Sequence, residues 1–507
     1  MAKWWTLVAV CVATFMLLLD ITIVNVALPD IERSLDASFS DLQWVIDAYA
    51  LALAALLLTG GSLADLFGRR LIFVIGLAVF TGASLLCGLA GSPTALTLAR
   101  ALQGIGGAFM FATSLALLAS GYQGRDRGTA FGVWGAVTGA SVAVGPLVGG
   151  VLTDGIGWEA IFFVNVPIGI AAIALTLQRV HESRDPRSGH LDWPGFFTFS
   201  TGLFLLVFAL IRGNPEGWDS PMILAMLIGS AVLLVAFVLV ERSRERPMLD
   251  ISLFRKPAFD GASIAAFVLS ASMFSMFLYL TLYLQNILGY TPLETGLRFL
   301  PTTVVSFLLA PVSGKLAERY GARWFMGAGL AAVGLGLLLM TGVDPGDDWT
   351  ALLAGFLVAG GGIGLVNPAL ATTAIGVVEP RRAGMASGIN STFRQIGIAT
   401  GIAGWGAIFQ HIVADEFLRR ATAEGVRLTP PPGGGSVADA VSFGVFARSG
   451  NGTLARLGEV AYVTGLDRIL VLAAILAFVG AALCLVLVRQ RDFVAHGAPA
   501  GAEPAAA

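Results

Sequence analysis

The chain has 507 residues, 56% of them hydrophobic and only 13% charged, with a formal net charge of −2 and a mean hydropathy of +0.80. A soluble domain carries about 25% charged residues, and half that density cannot cover a water-facing surface of this size. A soluble protein is thereby excluded and an integral membrane protein is read, while the net charge gives no sign of a nucleic-acid partner.

The N-terminus reads "MAKWW" and passes at once into an apolar run too long for the core of a cleaved leader. It is read as a retained first span, with Trp4 and Trp5 at the membrane interface. A span needs about 20 mostly apolar residues. Fourteen segments meet this: 5–28, 42–64, 71–91, 96–119, 129–152, 159–179, 192–211, 221–240, 260–285, 295–317, 323–342, 350–374, 384–409 and 468–488. Barrel strands would be about half as long and would alternate, so the fold class is all-α. Residues 410–467, with "LTPPPGGGS" and scattered charges, are expected to form a long outer loop of mixed order, and the tail 491–507 to be disordered.

Lys3, Arg69, Arg70, Arg125, Arg127, Arg179, Arg242, Arg255, Lys256, Lys315, Arg323, Arg382 and Arg489 fall in loops on one side, whereas the short loops opposite carry only Arg33 and Arg212. Cytoplasmic loops carry the excess of Lys and Arg, so both termini are expected in the cytoplasm. Cys11, Cys87 and Cys484 lie far apart in apolar runs, and the four histidines lie outside them. No metal site, disulfide or cofactor is expected. The chain has no P-loop, so an ATP motor would have to come from another subunit.

The loop after the second span reads "GSLADLFGRR" and that after the tenth reads "GKLAERYGAR". Gly61, Asp65, Gly68 and Arg70 match Gly314, Glu318, Gly321 and Arg323 at one constant spacing. "RDRGTAFG" entering the fifth span matches "RRAGMASG" entering the thirteenth. Both pairings are eight spans apart on the same membrane side. The scheme is two six-helix halves with two extra helices between them: 1–180, then 181–257 with the extra pair and linkers, then 258–490. Parallel repeats of this kind belong to transporters that rock two bundles about a central site.

Asp20 sits among leucines and isoleucines, about 24 Å along the first span. A buried carboxylate there tends to take up a proton, and one whose charge follows its access to water can couple protons to transport. The alternative is a static hydrogen bond between helices. Arg100, one turn inside the outer end of the fourth span, has a similar depth and could pair with Asp20; otherwise it snorkels to the interface. Arg394 lies near the midplane of the thirteenth span, where a charge should face the interior or a watery cavity. Asp47 is a weaker candidate near the outer end of the second span, and Glu294 with Arg298 reads as a local ion pair. Gly145 and Pro146, followed by Gly149, place a proline kink among small residues. Met273, Met276, Phe277, Tyr279 and Tyr283 in the ninth span would make an adaptable wall for an amphipathic ligand, or else ordinary helix packing.

Taken together, these motifs resemble the major facilitator superfamily. "GSLADLFGRR" looks like its signature loop, "LARALQGIGGA" its fourth-helix arginine motif and "GASVAVGPLVGG" its antiporter motif. "LDITIVNVALP" and "FFVNVPIG" are similar to sequences of the fourteen-helix drug:proton antiporters. The resemblance implies a two-bundle fold and proton-coupled export of drugs or secondary metabolites across the cytoplasmic membrane by a monomer. By that analogy Asp20 and Arg100 carry the coupling. Gly61, Asp65, Gly68, Arg69 and Arg70, with their repeat partners Gly314, Glu318 and Arg323, form a cytoplasmic gate, and Gly145, Pro146 and Gly149 the antiporter kink. One departure is Glu159 after Trp158, where the family often has arginine. An exporter or uniporter of one specific peptide, sugar or siderophore, or a non-transporting receptor, are the competing readings.

Overall fold

The computed structural model describes all residues except 1–3, 38, 123, 185–191, 245–248, 380–381, 427–451 and 494–507. The N-terminal half comprises α1 (Trp5–Leu35), α2 (Phe39–Phe67), α3 (Arg69–Gly88), α4 (Pro93–Gly121), α5 (Gly124–Gly155) and a broken sixth span, α6 (Ala160–Phe163) with α7 (Asn165–Arg179). A hairpin of α8 (Trp193–Glu216) and α9 (Pro221–Ser243) follows. The C-terminal half comprises α10 (Pro257–Leu269) continuing into α11 (Ser275–Leu282), then α12 (Pro292–Tyr320), α13 (Ala322–Leu339), α14 (Leu353–Gly376), α15 (Ala383–Ala423) and α16 (Gly452–Leu487). Thirteen helical stretches among the described residues are long and apolar enough to cross a membrane. With α5, a helix of 32 residues, they account for the fourteen predicted spans.

Local chemistry sets the helix starts. Ser92 caps α4 by accepting from the Ala95 amide at 3.3 Å, with Pro93 in the first turn. Thr291 and Glu294 form a reciprocal capping box on α12. This corrects the expected Glu294–Arg298 ion pair: the carboxylate is spent on the Thr291 amide (2.9 Å), while Arg298 donates to the Glu294 carbonyl (2.8 Å) and lies over the Tyr290 ring.

In each half the turn after the motif helix is made by a glycine with positive φ, Gly68 at 127° and Gly321 at 93°. Side chains with a Cβ rarely adopt that conformation, so the repeat seen in sequence is a repeat of backbone geometry.

Within the N-terminal half α4 packs on α2 and α3, and α1 on α5. Within the C-terminal half α14 packs on α12 and α13, and α16 on α13 and α15. The halves meet along two seams, α5 against α12 and α2 against α15. These seams are equivalents of one another under the repeat. The α8–α9 hairpin leans on α2 and α15 through α8. Asn214 on α8 donates to the Ala403 carbonyl of α15 (3.1 Å), and Arg212 to Gln43 of α2 (2.9 Å). On α9, Leu224, Ile228, Val232, Val235 and Leu239 are exposed, as befits a lipid-facing helix.

Two differences from the sequence reading concern helix length and register. The expected loop 410–467 is largely helical at both ends, since α15 continues to Ala423 and α16 begins at Gly452. Val413, Phe417 and Ala421 recur on one buried face, while Glu416 pairs with Arg419 and Arg420 on another. Residues 427–451 of that loop and 494–507 of the expected tail lie outside the described residues; the tail's start is ordered, with Gln490–Asp492 in a 3₁₀ turn and Asp492 Oδ2 accepting from the Ala258 amide (3.1 Å). The ninth span is interrupted by two π-helical segments, Ser270–Phe274 and Tyr283–Ile287.

Candidate functional site

Asp20 on α1 is fully buried, and Arg100 of α4, 1% exposed, forms an ion pair with it. The carboxylate also accepts from Gln103 Nε2 (2.9 Å) and Asn165 Nδ2 (3.2 Å). Gln103 takes a bond from the Arg100 guanidinium through Oε1 (2.6 Å) and donates to Ser84 Oγ (2.6 Å). Arg100 Nε donates to the Val45 carbonyl (3.2 Å), and its guanidinium carbon lies 4.2 Å from the Tyr49 ring centre. Residues from α1, α2, α3, α4 and α7 thus close a charge-balanced box. A buried pair of this kind needs excellent geometry and further hydrogen bonds to offset its desolvation, and the two amides supply them. Arg100 does not snorkel.

Sequence reasoning missed Gln103, Asn165 and Ser84. The available signals were Gln103 three residues after Arg100 and Asn165 as the amide of the apolar run "FFVNVPIG". Asp47 does not join the box. It is half-buried near the outer end of α2, within the electrostatic influence of Arg212.

At the cytoplasmic ends the two seams are built alike. A Cβ added to Gly61 would sit 2.3 Å from the Gly384 carbonyl oxygen and 3.4 Å from Gly388 Cα. One added to Gly314 would sit 2.2 Å from the Gly128 carbonyl oxygen and 3.2 Å from Gly132 Cα. Only glycine permits this approach. Asp65 spans the α2–α15 seam. Its Oδ1 accepts from the Gly384 amide (3.1 Å) and its Oδ2 from the Met385 amide (2.9 Å), while Arg69 donates to Oδ1 through Nη2 (2.8 Å). An acid at a helix N-terminus meets unsatisfied amides and the positive end of the helix dipole. Arg70 turns away, donating to the Val180 carbonyl (3.2 Å), and Glu182 accepts from the Arg70 and Leu71 amides at the start of α3. Arg323 lies over the Trp324 ring at 4.4 Å. The Glu318 side chain lies outside the described residues.

Beside this latch, Asp250 of the linker pairs with Arg382, and the Asp250 amide donates to Met385 Sδ (3.4 Å). Burial works against ionisation of Asp250, but Ser252 and Arg382 together hold its carboxyl below the usual range.

On α5, a Cβ added to Gly145 would sit 1.7 Å from Thr22 Oγ1, so this glycine lets α5 touch α1 two residues beyond Asp20. The helix runs unbroken through Pro146, whose side chain lies outside the described residues, and Gly149 is buried.

The expected cargo wall is mostly packing. Met273, Met276, Tyr279 and Tyr283 are at most 5% exposed. Tyr279 donates to the Ile402 carbonyl (2.7 Å), and Tyr283 stacks on Tyr462 of α16. Only Phe277 stays half-buried, edge-on to Phe299 of α12. Arg394 belongs neither to the Asp20 box nor to the Asp65 latch. It is 4% exposed and donates through Nη2 to Asn367 Oδ1 (3.1 Å) on α14.

This fold and box define a two-bundle helical membrane protein with a buried, charge-balanced acid inside its N-terminal half. The family model of the Major Facilitator Superfamily matches residues 10–402, and the chain belongs to that family of transporters, which are not enzymes. It is 39% identical over 404 residues to the multidrug resistance protein Stp of Mycobacterium tuberculosis, covering 80% of this chain and 75% of that protein. It is 32% identical over 489 residues to the tetracenomycin C resistance and export protein of Streptomyces glaucescens, covering 95% and 91%. Among solved structures, the human organic anion transporter MFSD10 superposes with a TM-score of 0.64 at 14% identity, covering 95% of this chain and 99% of that one; at that identity the likeness concerns the fold alone.

Proposed function

We propose that this protein is a proton-coupled exporter of amphipathic drugs or secondary metabolites, working as a monomer in the cytoplasmic membrane with both termini in the cytoplasm. The observation that carries this reading is the Asp20–Arg100 pair enclosed by Gln103 and Asn165. Protonating Asp20 cancels the negative charge that compensates Arg100, and a lone buried guanidinium is costly. Proton binding therefore disfavours the closed box and promotes movement of α1 and α5 against the rest of the half. Gly145, where these helices touch, is the pivot or seal.

The cytoplasmic latch couples this change to access. With the Gly61 and Gly314 crossings closed, Asp65 holds the N-terminus of α15. Opening to the cytoplasm requires that latch to release and the seams to part, as alternating access demands. The resistance-protein relatives point the same way for cargo class.

The test is reconstitution into vesicles with an imposed pH gradient and a panel of aromatic antibiotics, puromycin and tetracenomycin C among them. Uphill accumulation of at least one compound, abolished when the gradient is collapsed, is expected. Transport indifferent to the gradient would make the protein a uniporter.

A further inference from the structure

Two of the deeply buried arginines have a carboxylate partner: Arg69 has Asp65, and Arg100 has Asp20. Arg394 has none within ion-pairing distance among the described residues. Its Nη1 is buried without a hydrogen-bond partner, and Nη2 reaches only the neutral Asn367, whose own Nδ2 is also unpartnered. Arg394 lies about 16 Å into α15 from Ala383, near the middle of the bilayer. An uncompensated charge at that depth is among the most expensive features a membrane protein can carry, and such residues mark substrate or ion pathways.

The surroundings indicate what would compensate it. Asn367 lies on the seam between the halves: a Cβ added to Gly135 of α5 would sit 3.2 Å from Asn367 Cβ. Parting α5 from α14 would therefore uncover the amide and the guanidinium behind it. On the other side the guanidinium carbon lies 5.9 Å from the Phe274 ring centre. Phe274, Phe277 and Phe299 follow one another at centroid distances of 6.2 and 5.2 Å. Phe274 and Phe277 are only half-buried. Two donors in search of an acceptor thus lie at one end of a partly uncovered aromatic row.

The geometry points to Arg394 as the anion-binding residue of the cargo site, taking the carboxylate, sulfonate or ionised phenol of an aromatic cargo, with Asn367 as second donor and the Phe274–Phe277 row against the ring system. This inference rests on the transporter reading above and specifies the charge of what is carried. Guanidinium suits such groups because it offers paired donors in a plane. The Asp20 box is charge-neutral without cargo, so the two sites divide the work: proton in the N-terminal half, anion in the C-terminal half.

The test uses the full chain in lipid nanodiscs and two fluorescent probes with a common aryl body. 8-Anilinonaphthalene-1-sulfonate carries the anion, and N-phenyl-1-naphthylamine lacks it. Saturable sulfonate binding is expected to weaken tenfold or more in Arg394→Gln and by less in Arg394→Lys, which keeps the charge but loses the paired planar donors, with the neutral probe unchanged throughout. Asn367→Asp guards against a folding artefact. It places a carboxylate on the guanidinium, so it should hold or raise the melting temperature while also weakening the sulfonate tenfold.

Sulfonate binding that is absent, that is indifferent to Arg394→Gln and Asn367→Asp, or that falls in parallel with the neutral probe would overturn the assignment. Gradient-driven efflux of the antibiotic panel is scored separately. Its persistence alongside any of those outcomes would sink the anion site alone, and its absence alongside Arg394-dependent binding would sink the proton-coupled reading alone.

Discussion

Replacing Asp20 by Asn removes the negative charge that pairs with Arg100 while keeping the shape of the box. Arg100, 1% exposed, is then a lone buried cation, and stripping one partner from such a pair costs about 3–5 kcal/mol. Arg100→Gln leaves the carboxylate stranded and costs about as much. The double variant has no stranded charge, and its amides can bond among Gln103, Asn165 and Ser84. It should fall well short of the sum of the single losses, giving an interaction energy of about 3 kcal/mol, the upper end for contacting residues. Reversible unfolding in mixed micelles, followed by tryptophan fluorescence, measures the cycle. Proton-driven efflux should be lost in all three variants, including the stable double one. Additive losses within about 0.5 kcal/mol, or normal efflux in Asp20→Asn, would refute the reasoning.

Gly314→Ala and Gly61→Ala each put a methyl group about where a carbonyl oxygen of the other half lies, at 2.2 and 2.3 Å. Each should hold the cytoplasmic side apart, read as increased labelling of a cysteine introduced at Leu316 or Leu63, with efflux reduced at least tenfold; unchanged labelling would show that the seam does not close this way. Asp65→Asn removes the charge from the latch and should slow turnover several-fold without reordering cargo preference, and a changed order at normal turnover would count against a gate. Asp250, with its carboxyl held below the usual range, contributes stability present above the unfolded value and lost only as pH falls through the lower folded value. Its pair with Arg382 should therefore stay closed from pH 8 to about 5, and Asp250→Asn should leave the pH profile of transport in place. A displaced profile would assign that titration to the linker.

How much was legible follows from what each signal depends on. Span number came from composition and length, and the repeat from glycines whose backbone geometry, positive φ at Gly68 and Gly321, admits few substitutes. The Asp20–Arg100 pair was legible from depth alone, because two opposite charges at one level in hydrocarbon have strong reason to meet. Gln103, Asn165 and Ser84 were not, since a neutral polar residue in an apolar run gives no sign of the way it faces. The cargo wall failed for a related reason. Spacing puts Met273, Met276 and Tyr283 near one face of the helix, but it does not say whether that face meets a cavity or a neighbouring helix, and here it packs into the bundle. The extension of α15 was hidden because Glu416, Arg419 and Arg420 raise local polarity while pairing on a helix surface.

The most direct measurement of the account is proton movement driven by cargo alone. Vesicles containing the protein and an internal pH dye receive a transported compound on one side only, at equal starting pH. Antiport through Asp20 predicts a proton flux opposite to the cargo flux in the wild type and none in Asp20→Asn. Cargo flux without proton flux in the wild type, or an undiminished proton flux in the variant, would contradict it.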